Sequence, residues 1–141
     1  MKEQLKTSHE IIEWLNQEYA EPFVGWDFAY LKGRWEPEGK PPWDYVETVN
    51  GYLNGAVSLL DIDTGGGEVL AGLLAASGFK GSVCALEAYA PNVPVARNRL
   101  AGFGARVLDI SERAAELESD AFDLVIDRHG GSLNPRKFFV F

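Results

Sequence analysis

The stretch Val57-Ser58-Leu59-Leu60-Asp61-Ile62-Asp63-Thr64-Gly65-Gly66-Gly67-Glu68-Val69-Leu70 limits the fold more than any other part of the chain. A short apolar run ends in two acids, three glycines follow, and a helical pattern begins at once. That grammar reads as strand, tight turn and helix in an α/β domain. Val57, Leu59, Leu60 and Ile62 offer apolar side chains to both faces, as a buried parallel strand requires. Gly65, Gly66 and Gly67 let the backbone turn sharply and let a ligand approach it, since no Cβ is in the way. The helix that follows would point its first N–H groups at whatever lies in the turn, which suits a nucleotide-type ligand.

Three more strand patterns follow, over 82–86, 105–109 and 122–126. Helical patterns separate them: 68–77 with a stop at Gly78, a piece after Pro91 closed by Gly102 and Gly104, and a weak piece over 112–117. Such alternation predicts a parallel sheet with right-handed crossovers. Ligands bind such sheets outside the carboxyl ends of the strands, where strand order reverses. Asp61, Asp63, the glycines, Glu87, Asp109, Asp127, Arg128 and His129 fall there. Ahead of the sheet, Thr7 and Glu10 have capping-box spacing, and Ile11, Ile12, Leu15 and Tyr19 share one helical face, expected to cover the core. A second helix is expected over 44–53, stopped by Asn54-Gly55. Between these helices lie Phe23, Trp26, Phe28, Tyr30, Trp35 and Trp43, broken by Gly33, Pro37, Gly39, Pro41 and Pro42. They read either as padding of the sheet edge or first helix, or as a lid over a pocket.

The chain has 141 residues and a net charge of −8, with a pI near 4.7. It lacks the basic footprint of a protein that grips nucleic acid. Cys84, the single cysteine, leaves no intrachain disulfide or cysteine zinc cluster, and it reads as a small core residue. No metal site is expected. No apolar run approaches the ~18 residues of a membrane span, so a cytoplasmic setting is the expectation. Expected units are 1–55, a helical and aromatic cap; 56–129, the ligand-binding part; and 130–141, an atypical apolar tail, within a single domain.

Two nucleotide grammars fail at the glycine turn. A dinucleotide fingerprint needs a third glycine where Leu70 stands, and a P-loop needs Gly-Lys-Ser/Thr where Glu68 follows the glycines. Asp61-Ile62-Asp63-Thr64-Gly65-Gly66-Gly67, with Glu87 closing the second strand and Phe122-Asp123-Leu124-Val125-Ile126-Asp127 as the fourth, resembles the class I S-adenosylmethionine-dependent methyltransferases. Their first motif is an acid followed by glycines at alternate positions. The run from Glu87 to Ala96 and Pro42-Trp43-Asp44-Tyr45 ahead of the first strand also look like a bacterial branch of that superfamily.

The resemblance implies an incomplete Rossmann-like methyltransferase fold: about four parallel strands in the order 3-2-1-4, helices on both faces, and the aromatic helical extension. It implies S-adenosyl-L-methionine as cofactor. Gly65, Gly66 and Gly67 would pass close to its methionine part, and Asp61 would favour its positive charge. Glu87 would accept from both ribose hydroxyls, and Asp109 and Ser111 would lie near adenine. Asp127 would sit beside the transferring methyl, and His129 is either a general base or a surface histidine. Trp26, Tyr30, Trp43 and Tyr45 could cover the cofactor. Asp63 departs from the pattern, standing where the family has its first glycine; it would pair with the cofactor's ammonium or crowd the pocket.

The family sheet has seven strands, and this chain stops soon after the fourth. Lys137-Phe138-Phe139-Val140-Phe141 is apolar and strand-prone. The expectation is that this tail packs on the fourth-strand edge, or that two chains pair there as a homodimer. Two functions follow: methyl transfer to a small-molecule acceptor by this chain or by the enzyme of which it is the cofactor-binding half, or a degenerate domain acting in binding or assembly. A dinucleotide-binding oxidoreductase is a distant third.

Overall fold

The computed structural model describes residues 7–22, 29–111, 117–118 and 120–128. Four parallel strands, β1 (Ser58–Ile62), β2 (Ser82–Glu87), β3 (Arg106–Asp109) and β4 (Leu124–Asp127), form one sheet in the order β3-β2-β1-β4. This is the Rossmann-like arrangement expected. Strand order reverses beside β1, so the glycine turn after it lies at the switch point.

The helices are α1 (Ser8–Ala20), α2 (Tyr45–Leu53), α3 (Glu68–Ser77) and α4 (Asn92–Leu100). Successive side chains of a strand alternate between faces, and the two cores follow that alternation. Leu59, Val83, Ala85, Val107 and Ile126 pack with Val49 and Leu53 of α2, Leu70, Leu73 and Leu74 of α3, and Val93, Ala96 and Leu100 of α4. Leu60, Ile62, Cys84 and Leu86 form the other core, with Ile110, Leu117, Phe122 and Val125 against it. Cys84 is thus the core residue expected. Helices α2, α3 and α4 share one face. The helical piece expected over 112–117 lies outside the described residues except for Leu117.

Local chemistry sets the helix limits. Thr7 and Glu10 close the capping box on α1. Asp44 caps α2, its carboxylate accepting the Glu47 amide at 2.9 Å. Gly78 ends α3 at φ +64, where its amide donates to the Leu74 carbonyl.

One expectation fails. Helix α1 has no buried residue, and Ile11, Ile12, Leu15 and Tyr19 are exposed, Tyr19 by 94%. Helical spacing defined an apolar face but not a partner for it. The Glu18 carboxylate instead accepts from Trp14 Nε1 (2.8 Å), Tyr30 Oη (2.9 Å) and Arg34 (2.5 Å), and the Arg34 guanidinium holds it down to about 2. The expected apolar tail and the expected pairing through it lie outside the described residues.

Candidate functional site

The turn after β1 is built from left-handed backbone. Asp63, Gly65 and Gly67 have φ of +55, +63 and +79. The Gly67 amide donates to the Thr64 carbonyl at 3.0 Å, closing a four-residue turn. The Thr64 amide donates to the Leu86 carbonyl of β2, also at 3.0 Å, which ties the turn to the neighbouring strand. A Cβ on Gly67 would meet Leu100 at 3.1 Å, so glycine lets α3 seat against α4. Helix α3 starts at this glycine without a side-chain cap, which leaves its first amides facing the turn.

Asp63 accounts for its own departure from the resemblance. The chain needs φ > 0 there, glycine meets that need best, and aspartate is among the few alternatives that tolerate it.

Glu87 ends β2 beside this turn and is 4% exposed. Its Oε1 accepts the Tyr89 amide at 2.6 Å, and its Oε2 is buried without a hydrogen-bond partner. Burial raises the carboxyl above its usual range; the Tyr89, Gly65 and Ala88 amides oppose that, and the Asp63 charge adds to it. Asp61, 7% exposed at the end of β1, is pushed up to about 7, first by burial and then by the charges of Asp127, Asp63 and Glu87, with the Thr64 hydroxyl opposing. Asp63 is raised by burial and by Asp127. The turn, Asp61, Asp63, Glu87 and Asp127 therefore share one end of the sheet.

Asp109 lies opposite Glu87 in the β2–β3 register. Its Oδ1 accepts from the Ser111 amide (2.9 Å) and hydroxyl (2.5 Å), which hold the carboxyl below its usual range. These two residues are beside the site, already bonded to each other. Asp127 ends β4 on the other flank, opposite Ile62. His129 and Trp26 lie outside the described residues.

A narrow cleft of about 30 Å³ lies among Asp61, Asp63, Gly65, Leu73, Tyr45 and Arg128. The Arg128 guanidinium sits over the Tyr45 ring, 5.9 Å from its centre. Tyr45 thus lines the cleft, whereas Tyr30 is engaged with Glu18 and Arg34.

Sequence reasoning missed Arg99. From α4 it donates to the Gly66 carbonyl and the Glu68 carboxylate, and so clamps the glycine turn from behind. Thr64 and Asn92, which is fully buried in the first turn of α4, were also missed. Among the described residues, no group of three or more His, Cys, Asp or Glu is placed to hold a metal, and no helix is long and apolar enough to cross a membrane.

No family model matches the chain, and no curated protein does. Solved structures do. A SAM-dependent methyltransferase from Aquifex aeolicus is 24% identical at a TM-score of 0.49, over 72% of this chain and 56% of that one. CalS10, an amino pentose methyltransferase of calicheamicin biosynthesis from Micromonospora echinaspora, solved with SAM bound, is 28% identical at 0.48, over 71% and 40%. The plantazolicin methyltransferase BpumL, solved with a desmethylPZN analog and SAH, is 21% identical at 0.43, over 57% and 32%. The chain thus spans between about a third and just over half the length of these proteins.

Proposed function

We propose that this chain binds S-adenosyl-L-methionine at the carboxyl end of its sheet and serves methyl transfer to a small-molecule acceptor. One observation carries the reading: Glu87 Oε2 is buried directly beside a glycine turn and makes no well-formed hydrogen bond, with the Gly65 and Ala88 amides only near the carboxylate. A buried acceptor left unsatisfied costs about 1–3 kcal/mol, more when charged. A ribose diol supplies two donors to a carboxylate that has one oxygen to spare.

The residues fit the rest of such a ligand. The left-handed glycines Gly65 and Gly67 leave backbone open to the methionine portion. Asp61 and Asp63 face the same cleft and would be relieved of mutual repulsion by an ammonium or a sulfonium. Asp109 and Ser111 present the adenine side, and Asp127 the methyl side.

When bound, held by the glycine turn and Glu87, the cofactor would supply an electrophilic methyl to the acceptor's lone pair, with the carbon–sulfur electron pair left on sulfur and the acceptor's proton passed to a base. The chain contributes alignment, charge and exclusion of water, and positioning alone can supply much of such an acceleration.

Calorimetric titration with S-adenosylhomocysteine tests this. The parent should bind, and Glu87→Gln, which replaces an acceptor oxygen by a donor, should bind about tenfold or more weakly. Absence of heat with the parent removes the cofactor, and unchanged affinity in the variant removes the ribose role.

A further inference from the structure

A groove of about 690 Å³ opens beside the Asp61 cleft, a volume within the range of small-molecule sites. Pro41, Pro42 and Trp43 line it, and Trp43 is 61% exposed. Tyr45 and Arg128 line both the groove and the cleft, so the two spaces meet at these side chains. An exposed indole next to two prolines is an apolar wall, suited to stacking a planar ring.

The charges of the groove are unevenly committed. Its acids are Asp44 and Glu47. Asp44 spends its carboxylate on the cap of α2, and Glu47 stands in the first helical turn, where the helix field favours an acid. Its cations are Lys40 and Arg128. Among the described residues neither makes an ion pair, although acids outnumber bases in the chain by 21 to 13.

We propose that this groove takes the methyl acceptor and that the acceptor is a small aromatic carboxylate. Its ring lies against Trp43 and the prolines, and its carboxylate faces Lys40 and Arg128. The assignment as acceptor site rests on the methyl-transfer reading, whereas the affinity for an aromatic acid does not. An arginine beside an aromatic wall favours a planar carboxylate over a compact anion, because its fork pairs with both oxygens in one plane.

The test uses the full chain and two probes, 4-hydroxybenzoate and its neutral amide 4-hydroxybenzamide, with binding read by ligand-observed NMR. The acid should bind about tenfold more tightly than the amide. Lys40→Gln should weaken the acid about fivefold and leave the amide unchanged, and Trp43→Ala should weaken both. Both positions are exposed, and circular dichroism checks that the variants are folded. Equal binding of acid and amide, binding of neither, or full affinity retained in both variants would overturn the proposal. Titration of S-adenosylhomocysteine into the same samples separates the two readings. A parent that binds the acid and no S-adenosylhomocysteine loses methyl transfer and keeps the groove; one that binds S-adenosylhomocysteine and neither probe loses the groove alone.

Discussion

Asp61→Asn should make the ligand-free protein more stable, and the gain should grow with pH. Burial and three neighbouring carboxylates push the Asp61 carboxyl from its ordinary 3.8 to about 7. Between those two pH values the folded protein keeps a proton that the unfolded chain has released. Stability contributed by this group is therefore complete below the unfolded value and is lost as pH rises through the folded one. At about 1.4 kcal/mol for each pH unit, the full span corresponds to about 4 kcal/mol. That figure is a ceiling, because Glu87 and Asp63 readjust when the Asp61 charge is removed. Asparagine matches the protonated acid in shape and carries no charge at any pH in this range. Urea denaturation of parent and variant, followed by far-ultraviolet circular dichroism from about pH 4 to about pH 8, gives the difference curve. It should start near zero and rise steadily towards the upper end, by about 2 kcal/mol or more. A flat curve would mean that Asp61 titrates as an ordinary surface acid, and the electrostatic account of the site would fall with it.

Gly81→Ala should be the most damaging of the small substitutions. Its Cβ would lie 2.3 Å from the Val57 carbonyl oxygen, which also accepts the Ser82 amide at 2.9 Å, so backbone must move; a loss of more than about 2 kcal/mol is expected in the same urea assay. Gly67→Ala forces a Cβ into left-handed backbone at φ +79 and against Leu100, costing about 1–2 kcal/mol. Asp63→Gly should raise stability by about 1 kcal/mol, since it relieves φ +55 and removes a carboxylate from beside Asp127, and calorimetric melting would register the rise.

Features that rest on local chemistry were legible in the sequence. The four strands announce themselves by apolar runs, the α1 start by Thr7 and Glu10, and the α3 stop by Gly78. The turn was legible because a backbone need, φ > 0, is written as glycine. Gly81 carries an equally strict need and left no signal, because the atom that enforces it is the Val57 carbonyl, brought close only by sheet pairing. Arg99 is hidden for the same reason, since its two acceptors are some thirty positions away. Periodicity misjudged α1, because a stripe of apolar residues says nothing about whether another surface is free to meet it. The aromatic segment divides in a way composition could not foresee: Trp43 lines the groove next to the cleft, while Tyr30 belongs to the polar cluster around Glu18.

The sign of the charge at the sheet end bears on which nucleotide fits. Asp61, Asp63, Glu87 and Asp127 gather there; burial raises the carboxyls of the first three, and the neighbouring charges add to the rise. Two like charges about 5 Å apart repel by about 3 kcal/mol at an effective dielectric of 20. A pyrophosphate in the glycine turn would add that repulsion several times over, with Arg128 the basic residue at the cleft to offset it. A ligand that presents an ammonium, a sulfonium and an uncharged diol, with a single carboxylate against them, carries net positive charge to these acids instead. Repulsion that weakens the empty protein then becomes attraction in the loaded one. The same four acids that make Asp61→Asn a stabilising change should therefore make the site selective for a nucleoside that carries positive charge and no phosphate.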